Sequence, residues 1–454
     1  MPVRLANVEV PGLDVPVQRP RIPASTYERR CKEAYRAAGL DWLVVYADRE
    51  HSANTMFLAG FDPRFEEALL LLGPNGKKIL VCGNESYHYA PRAGLQDFEL
   101  VLCQTLSLMG QDRSVAPSLD AVLRDAGIAK GSKVGIVGWK YLEADAWELN
   151  GASYFVPAML VSTLQRIVVD ADALSDATSV LMHQTTGLRA VVDADSIAAF
   201  EWAAARASAA VWSVVQGAKV GDTELGAAAR MGYAGEPLSC HVMFASSDAS
   251  GEVVGLAIPT ARVLKRGDGV TTAVGYWGAL SSRAGLLDES NDEFLAVAAG
   301  YFKGLAAWYQ NADIGAKGGE IYTAVEEAIA QSGLKPALNP GHLVSYDEWS
   351  NTPIRRGSTD VIASGMPFQV DIIPVPQRTG HALNCEDTVA FADERLRREI
   401  EERYPAVWQR IQKRRAFMRD KIGVDLKPSI LPLSNPPLCL PPFWLAPEKL
   451  LVAE

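Results

Sequence analysis

The segment GMPFQVDIIPVPQRTGHALNCEDTVAFAD, residues 365–393, sets two carboxylates in apolar company. Alternation along a strand puts Gln369 and Asp371 on one face and Phe368 and Val370 on the other. In the second run Asn384, Glu386 and Thr388 share a face. The connection PVPQRTGH is short enough for an antiparallel hairpin, which sets Asp371 opposite Glu386. Two carboxylates that close repel, and they need a metal ion, a shared proton or a cationic neighbour. The plain alternative is an exposed hairpin face with both groups solvated; the flanking VDII and TVAF argue against it. Upstream lies His342, one of six histidines, in NPGHLVSYDEWSN. A histidine with two carboxylates is a mononuclear metal set, and equally a base oriented by an acid. A histidine taken alone is more often a packed one.

Other side chains join the candidate list as substrate contacts. His241, in SCHVMFASS, lies on an apolar run and reads first as a core histidine. Tyr276, Trp277 and Trp349 would make an aromatic pocket wall, or plain core packing. Arg64, in GFDPRFEE, could reach a substrate carboxylate; a pairing with Glu66 or Glu67 is the simpler reading. His381 sits at the mouth of the hairpin, and His51, His88 and His183 fall in the N-terminal part.

The elements that must position these residues follow from periodicity and punctuation. Residues 1–24 are Pro-rich and aperiodic and read as an extended arm. Ser25 and Glu28 form an S-x-x-E capping box opening a helix that Gly39 closes. DWLVVYA is a buried strand, ALLLLGPNGKKILVCG a hairpin, SLDAVLRDAG a helix and SKVGIVG a strand, so residues 25–185 form an α/β domain. From 186 to 393 the order is helix, helix, strands, helix, helix, strands, beginning with the alanine-rich DADSIAAFEWAAARASAAVWSVVQG. That order is α+β. Residues 394–454 hold a charged helix, DERLRREIEERYPAVWQRIQKRRAFMRDKIG, read as solvated. An apolar Pro-rich tail follows, and it must pack against something.

Composition narrows the function classes. No apolar run approaches the ~18–20 residues of a membrane span, and no basic-then-apolar leader opens the chain; a cytoplasmic location is expected. The six cysteines are scattered without C-x-x-C spacing and read as buried thiols. A net charge of −10 with no Lys/Arg block argues against nucleic acid as partner.

Five landmarks in order resemble the pita-bread family of aminopeptidase P, methionine aminopeptidase and creatinase: GDTE at 221–224, KRGD at 265–268, GYWGALSSR at 275–283, NPGH at 339–342, and GMPFQVD with CEDTV at 365–389. YERR…GLDWLVVYADRE…FLAGFD is similar to that family's N-terminal domain. The resemblance implies a C-terminal pita-bread domain with a smaller α/β creatinase-like N-terminal domain. It also implies a homodimer, because in this fold one subunit's N-terminal domain commonly borders the partner's pocket. The family's metallopeptidases use two aspartates; here Ala273 stands at the first position and Ala279 or Leu280 at the second. The substrate-side histidine is replaced near Leu256, the second histidine is Trp349, and Asp371 stands where the family has glutamate. Arg283 matches the family's strand arginine and is expected to hold Glu386. Ser282 falls near a glutamate of the creatinase branch. Creatinase and ectoine hydrolase are branches that lost the metals. The resulting expectation is a metal-independent hydrolase of a C–N bond in a small polar nitrogen compound: an amidine, guanidino acid, cyclic amide or short amide. His342 would be the base, Glu386 its partner, a cation stabiliser or a nucleophile, and Asp371 would share a proton or orient the substrate. No cofactor is expected. The rivals are a mononuclear aminopeptidase-like hydrolase with one Zn, Mn or Fe, and a non-catalytic ligand- or partner-binding protein.

Overall fold

The computed structural model describes residues 1–143, 146 and 153–454. It divides into two compact units, Arg21–Ala190 and a larger one that combines Met1–Pro20 with Val191–Glu454.

In the smaller unit the sheet runs Glu99–Leu102, Lys78–Cys82, Ala68–Leu72, Trp42–Ala47, Val134–Val137, Leu174–Asp176. WLVVYA and ALLLL are buried at every residue, as a sheet covered on both faces requires. Ala68–Leu72 and Lys78–Cys82 form the antiparallel hairpin around Pro74–Gly76, while Trp42–Ala47 pairs parallel with Val134–Val137. The helix Ala24–Ala38 ends at left-handed Gly39. Its start differs from the capping box read in the sequence. Pro23 is the cap residue, Ser25 lies inside the first turn, and Glu28 is drawn instead to Lys78 at 2.8 Å.

The larger unit is built on α1 (Ala194–Gly217), β1 (Leu238–Ser247), β2 (Gly269–Tyr276), β3 (Ala279–Leu286), α2 (Asp292–Asn311), α3 (Gly318–Ala330), β4 (His342–Leu343), β5 (Pro367–Val370), β6 (Asn384–Phe391), α4 (Glu394–Arg403), α5 (Pro405–Phe417) and β7 (Ile430–Pro432). Its sheet has the order β4-β5-β6-β3-β2-β1, with β7 also paired to β6. Asp193 caps α1 by accepting from Ser196 N. The helix is buried along nearly its whole length and packs on β2, β3 and β6. At the β2–β3 turn Gly278 has φ +107°, and a Cβ there would fall 2.1 Å from the Phe200 ring on α1. Only glycine lets helix and hairpin close this tightly.

Three segments depart from the sequence reading. The N-terminal arm contains a strand, Val3–Asn7, paired antiparallel with Lys449–Ala453. The charged segment after 393 is two helices, because Pro405 cannot continue the first and starts the second. It is not simply solvated: Arg410 and Arg414 both donate to Glu201 on α1, which is wholly buried and needs the compensation. The apolar tail packs within its own chain. β7 joins β6, and Leu433, Leu438, Leu440, Phe443 and Trp444 are buried. The tail therefore creates no need of a second chain.

Candidate active site

Pairing across the larger sheet aligns two rungs of side chains on one face. Met243 on β1 pairs with Ala273 on β2, Ala273 with Ser282 on β3, and Ser282 with Glu386 on β6. β5 and β6 pair Val370 with Asp387, so one step further Asp371 stands opposite Glu386. The neighbouring rung joins His342 to Gln369 and Gln369 to Thr388. Gln369 donates to Leu280 O (2.7 Å) and to Glu386 Oε1 (3.1 Å), and it accepts from the Thr388 hydroxyl. Gly341, with φ +119°, brings His342 in: a Cβ there would lie 3.0 Å from both Gln369 O and Trp308 Nε1.

A cavity of about 600 Å³ opens over this face, with Glu348, Trp349, Asp371 and Glu386 among its lining. His342 is fully buried and does not line it. Its Nδ1 faces Leu343 O at 3.3 Å and its ring stacks on Trp349 with centroids 4.0 Å apart. Nε2 lies 3.2 Å from Glu348 Oε1, without the alignment of a hydrogen bond, and 3.9 Å from Glu386 Oε1. Burial, the largest single influence, would lower the His342 pKa, but the Glu348 and Asp371 carboxylates and Leu343 O together outweigh it and the net shift is upward. Burial pushes Asp371 up to about 6, with His342 opposing and Glu348 adding to the rise. Glu386 is raised well above the ordinary carboxylate range by burial, then by Asp371 and Glu348. Both carboxylates are thus pushed upward by burial, and the charge of Asp371 adds to the rise at Glu386. A buried histidine already held towards its charged form is a poor free base. The groups at the cavity wall are the carboxylates, and the imidazole lies behind them.

Residue parity along the strands sorts the remaining candidates. Arg283 was expected to hold the Glu386 carboxylate. Because Ser282 is the residue paired with Glu386, the Arg283 side chain projects from the other face, where it donates to both Asp387 oxygens (2.9 and 3.0 Å). Tyr276 is buried off the cavity beside Tyr233, and Trp277 sits in the β2–β3 turn against Tyr346. His241 occupies the irregular register between Cys240 and Met243; it is exposed, while those two neighbours line the cavity. Trp349, Leu256, Ser282 and His381 do line it. Arg64, in the smaller unit, donates to the Tyr89 hydroxyl at 2.9 Å and lies 3.4 Å from Asp62 rather than pairing with Glu66 or Glu67. The residue that sequence reasoning missed is Glu348. Its only signal was an acid beside Trp349 in the polar run after Gly341-His342.

One divalent ion fits the residues present. Donor atoms of His342, Asp371 and Glu386 lie within 4.8 Å of one another, and Asp371 Oδ1 accepts no hydrogen bond although buried. The cavity-lining positions of β2 and β3 include Ala273, Leu280, Ser282 and Ala284, none of them a carboxylate. Met243, Ala273 and Leu280 form an apolar cluster there instead.

No family model and no curated protein matches the sequence. Solved structures do. An X-Pro aminopeptidase from Thermotoga maritima superimposes with TM-score 0.59 at 17% identity, covering 80% of this chain and 95% of that one. A recombinant prolidase from Thermococcus sibiricus gives 0.63 at 16%, over 82% and 95%. The dipeptidase PepE from Mycobacterium ulcerans gives 0.58 at 18%, over 82% and 95%. At this identity the match speaks for architecture: the chain has the two-domain pita-bread fold found in prolidases and X-Pro aminopeptidases.

Proposed function

We propose that the protein hydrolyses a C–N bond in a small polar nitrogen compound, with Asp371 and Glu386 as the reacting pair. The observation that carries this reading is the placement of two facing, buried carboxylates at the wall of a cavity, with an imidazole behind them. Hydrolysis takes one proton from water and gives one to the departing nitrogen. A carboxylate pair that shares a single proton does both, one member as base and the other as acid. His342 and Gln369 hold Glu386 in place, and the apolar Met243–Ala273–Leu280 cluster limits water on the remaining face. The solved structures of this fold include peptidases named for X-Pro substrates, and hydrolysis of an amide-like bond is in keeping with them.

A second reading rests on the 4.8 Å grouping and the unpartnered Asp371 oxygen: one ion held by His342, Asp371 and Glu386. A bound ion would supply Lewis acidity there. A paired-ion centre lacks carboxylates on β2 and β3 to bridge it. Metal analysis of protein purified without chelator, followed by turnover of C–N substrates with and without EDTA, separates the two. Substoichiometric metal and EDTA-resistant turnover are expected. One tightly held ion per chain, with activity lost on its removal, would establish the second reading. Binding without turnover of any C–N substrate would sink both.

A further inference from the structure

Glu348, Asp371 and Glu386 bring three carboxylates to one end of the cavity. Among the described residues, the one basic side chain within ion-pair distance of this group is His342; Arg378, elsewhere on the lining, is paired with Glu293 at 2.6 Å. Asp371 Oδ1 is buried and accepts no hydrogen bond, although its residue lines the cavity. The site is short of both positive charge and hydrogen-bond donors. A cationic ligand that donates supplies both.

The rest of the lining says what kind of cation. Met243, Leu256, Leu338, Ile373 and Val375 offer apolar wall. The Trp349 indole, 37% exposed, lies against the imidazole at the acidic end. A hydrated inorganic ion uses neither feature. A planar, delocalised amidinium or guanidinium uses all of them: its parallel N–H groups match a carboxylate fork, its face stacks on an indole, and its substituent covers apolar wall.

We propose that the cavity selects a substrate whose amidinium or guanidinium group is joined to an apolar portion, and that Glu348 sets this preference. The proposal rests on the metal-independent carboxylate-pair reading above. Glu348 is the member of the acidic group outside the reacting pair. Asp371 and Glu386 are the reacting pair, whereas the Glu348 carboxylate lies 3.2 Å from His342 Nε2 and lines the cavity.

The test is calorimetric titration of EDTA-treated protein with benzamidine, a planar cation on an apolar ring, and with its neutral isostere benzamide. Benzamidine is expected to bind at least ~10-fold more tightly, a difference of about 1.4 kcal/mol. Glu348→Gln should lose that preference, and Glu348→Asp should keep most of it. Thermal melts of both variants establish that they are folded. Equal affinity for the two probes, no benzamidine binding at millimolar concentration, or an undiminished preference in folded Glu348→Gln would overturn the proposal. Because the readout is binding, its failure is separate from that of the hydrolase reading. Turnover without benzamidine preference removes only this proposal, and preference without turnover removes only the hydrolase.

Discussion

Glu386 and Asp387 are adjacent in sequence, both buried, and opposite in what surrounds them. Asp387 faces the back of the sheet. There Arg283 donates to both its oxygens and Leu438 N adds a third bond at 2.7 Å. Arg283 is itself further satisfied by Cys439 O and Ser282 O. Glu386, one residue earlier, faces the cavity with a single amide donor, Gln369, and two more carboxylates nearby. The back pair is a closed ion pair whose charges and hydrogen bonds cancel locally. The front cluster is left open, and its deficit can be met only by a proton, an ion or a ligand. Burial alone does not separate a structural carboxylate from a working one. The count of donors around it does.

The sharpest way to break this comparison is to remove each carboxylate's charge in turn. Glu386→Gln should lower turnover ~10²–10⁴-fold while the urea midpoint holds or rises, because a repelling charge has gone. If kcat survives in Glu386→Gln, the front cluster is not the reacting site. Asp387→Asn should do the reverse: it strands the Arg283 charge in the interior and should cost about 3–5 kcal/mol in denaturant unfolding, with the remaining folded protein keeping its kcat. An Asp387→Asn protein as stable as the parent would mean the back pair is not the strut it looks to be.

A smaller effect sharpens the electrostatic side. In metal-stripped protein the folded-state pKa of Asp371, about 6, lies above its unfolded value. Below pH ~4 both states are protonated and Asp371 has no effect on stability relative to asparagine. As pH rises towards 6 the unfolded chain ionises first, and folding loses free energy until the folded group also ionises. Asp371→Asn escapes that loss. The variant should match the parent near pH 4 and exceed it by at most ~3 kcal/mol at pH 7. The titrating neighbours facing Asp371 are His342, Glu348 and Glu386. A constant difference across that range would show that the carboxylate is not desolvated as described. The smallest effect is expected at an exposed contact within the smaller unit. Arg64→Ala removes an exposed contact to Tyr89 and should shift stability by no more than ~0.5 kcal/mol.

Much of the site was already legible as periodicity. The period of two in QVD and NCEDT is enough to place Gln369 with Asp371 and Asn384 with Glu386, and the short connection implies their antiparallel register. The same rule was available for Arg283, since a residue one step from Ser282 cannot share its face; matching it to a motif hid that. His241 escaped because a register irregularity breaks the alternation beside it. Local sequence thus determined the elements, their caps at Gly39 and Asp193, and which side chains share a strand face, because these depend on neighbours a few residues apart. Only the tertiary structure decided which face is cavity and which is core. It seated His342 behind the carboxylates and brought Glu348 to it, and it turned a charged C-terminal helix into the partner of buried Glu201. Those outcomes depend on residues far apart in the chain meeting across β4, β5 and β6 or against α1. The free energy of a buried charge is set by such distant partners, and no local pattern encodes it.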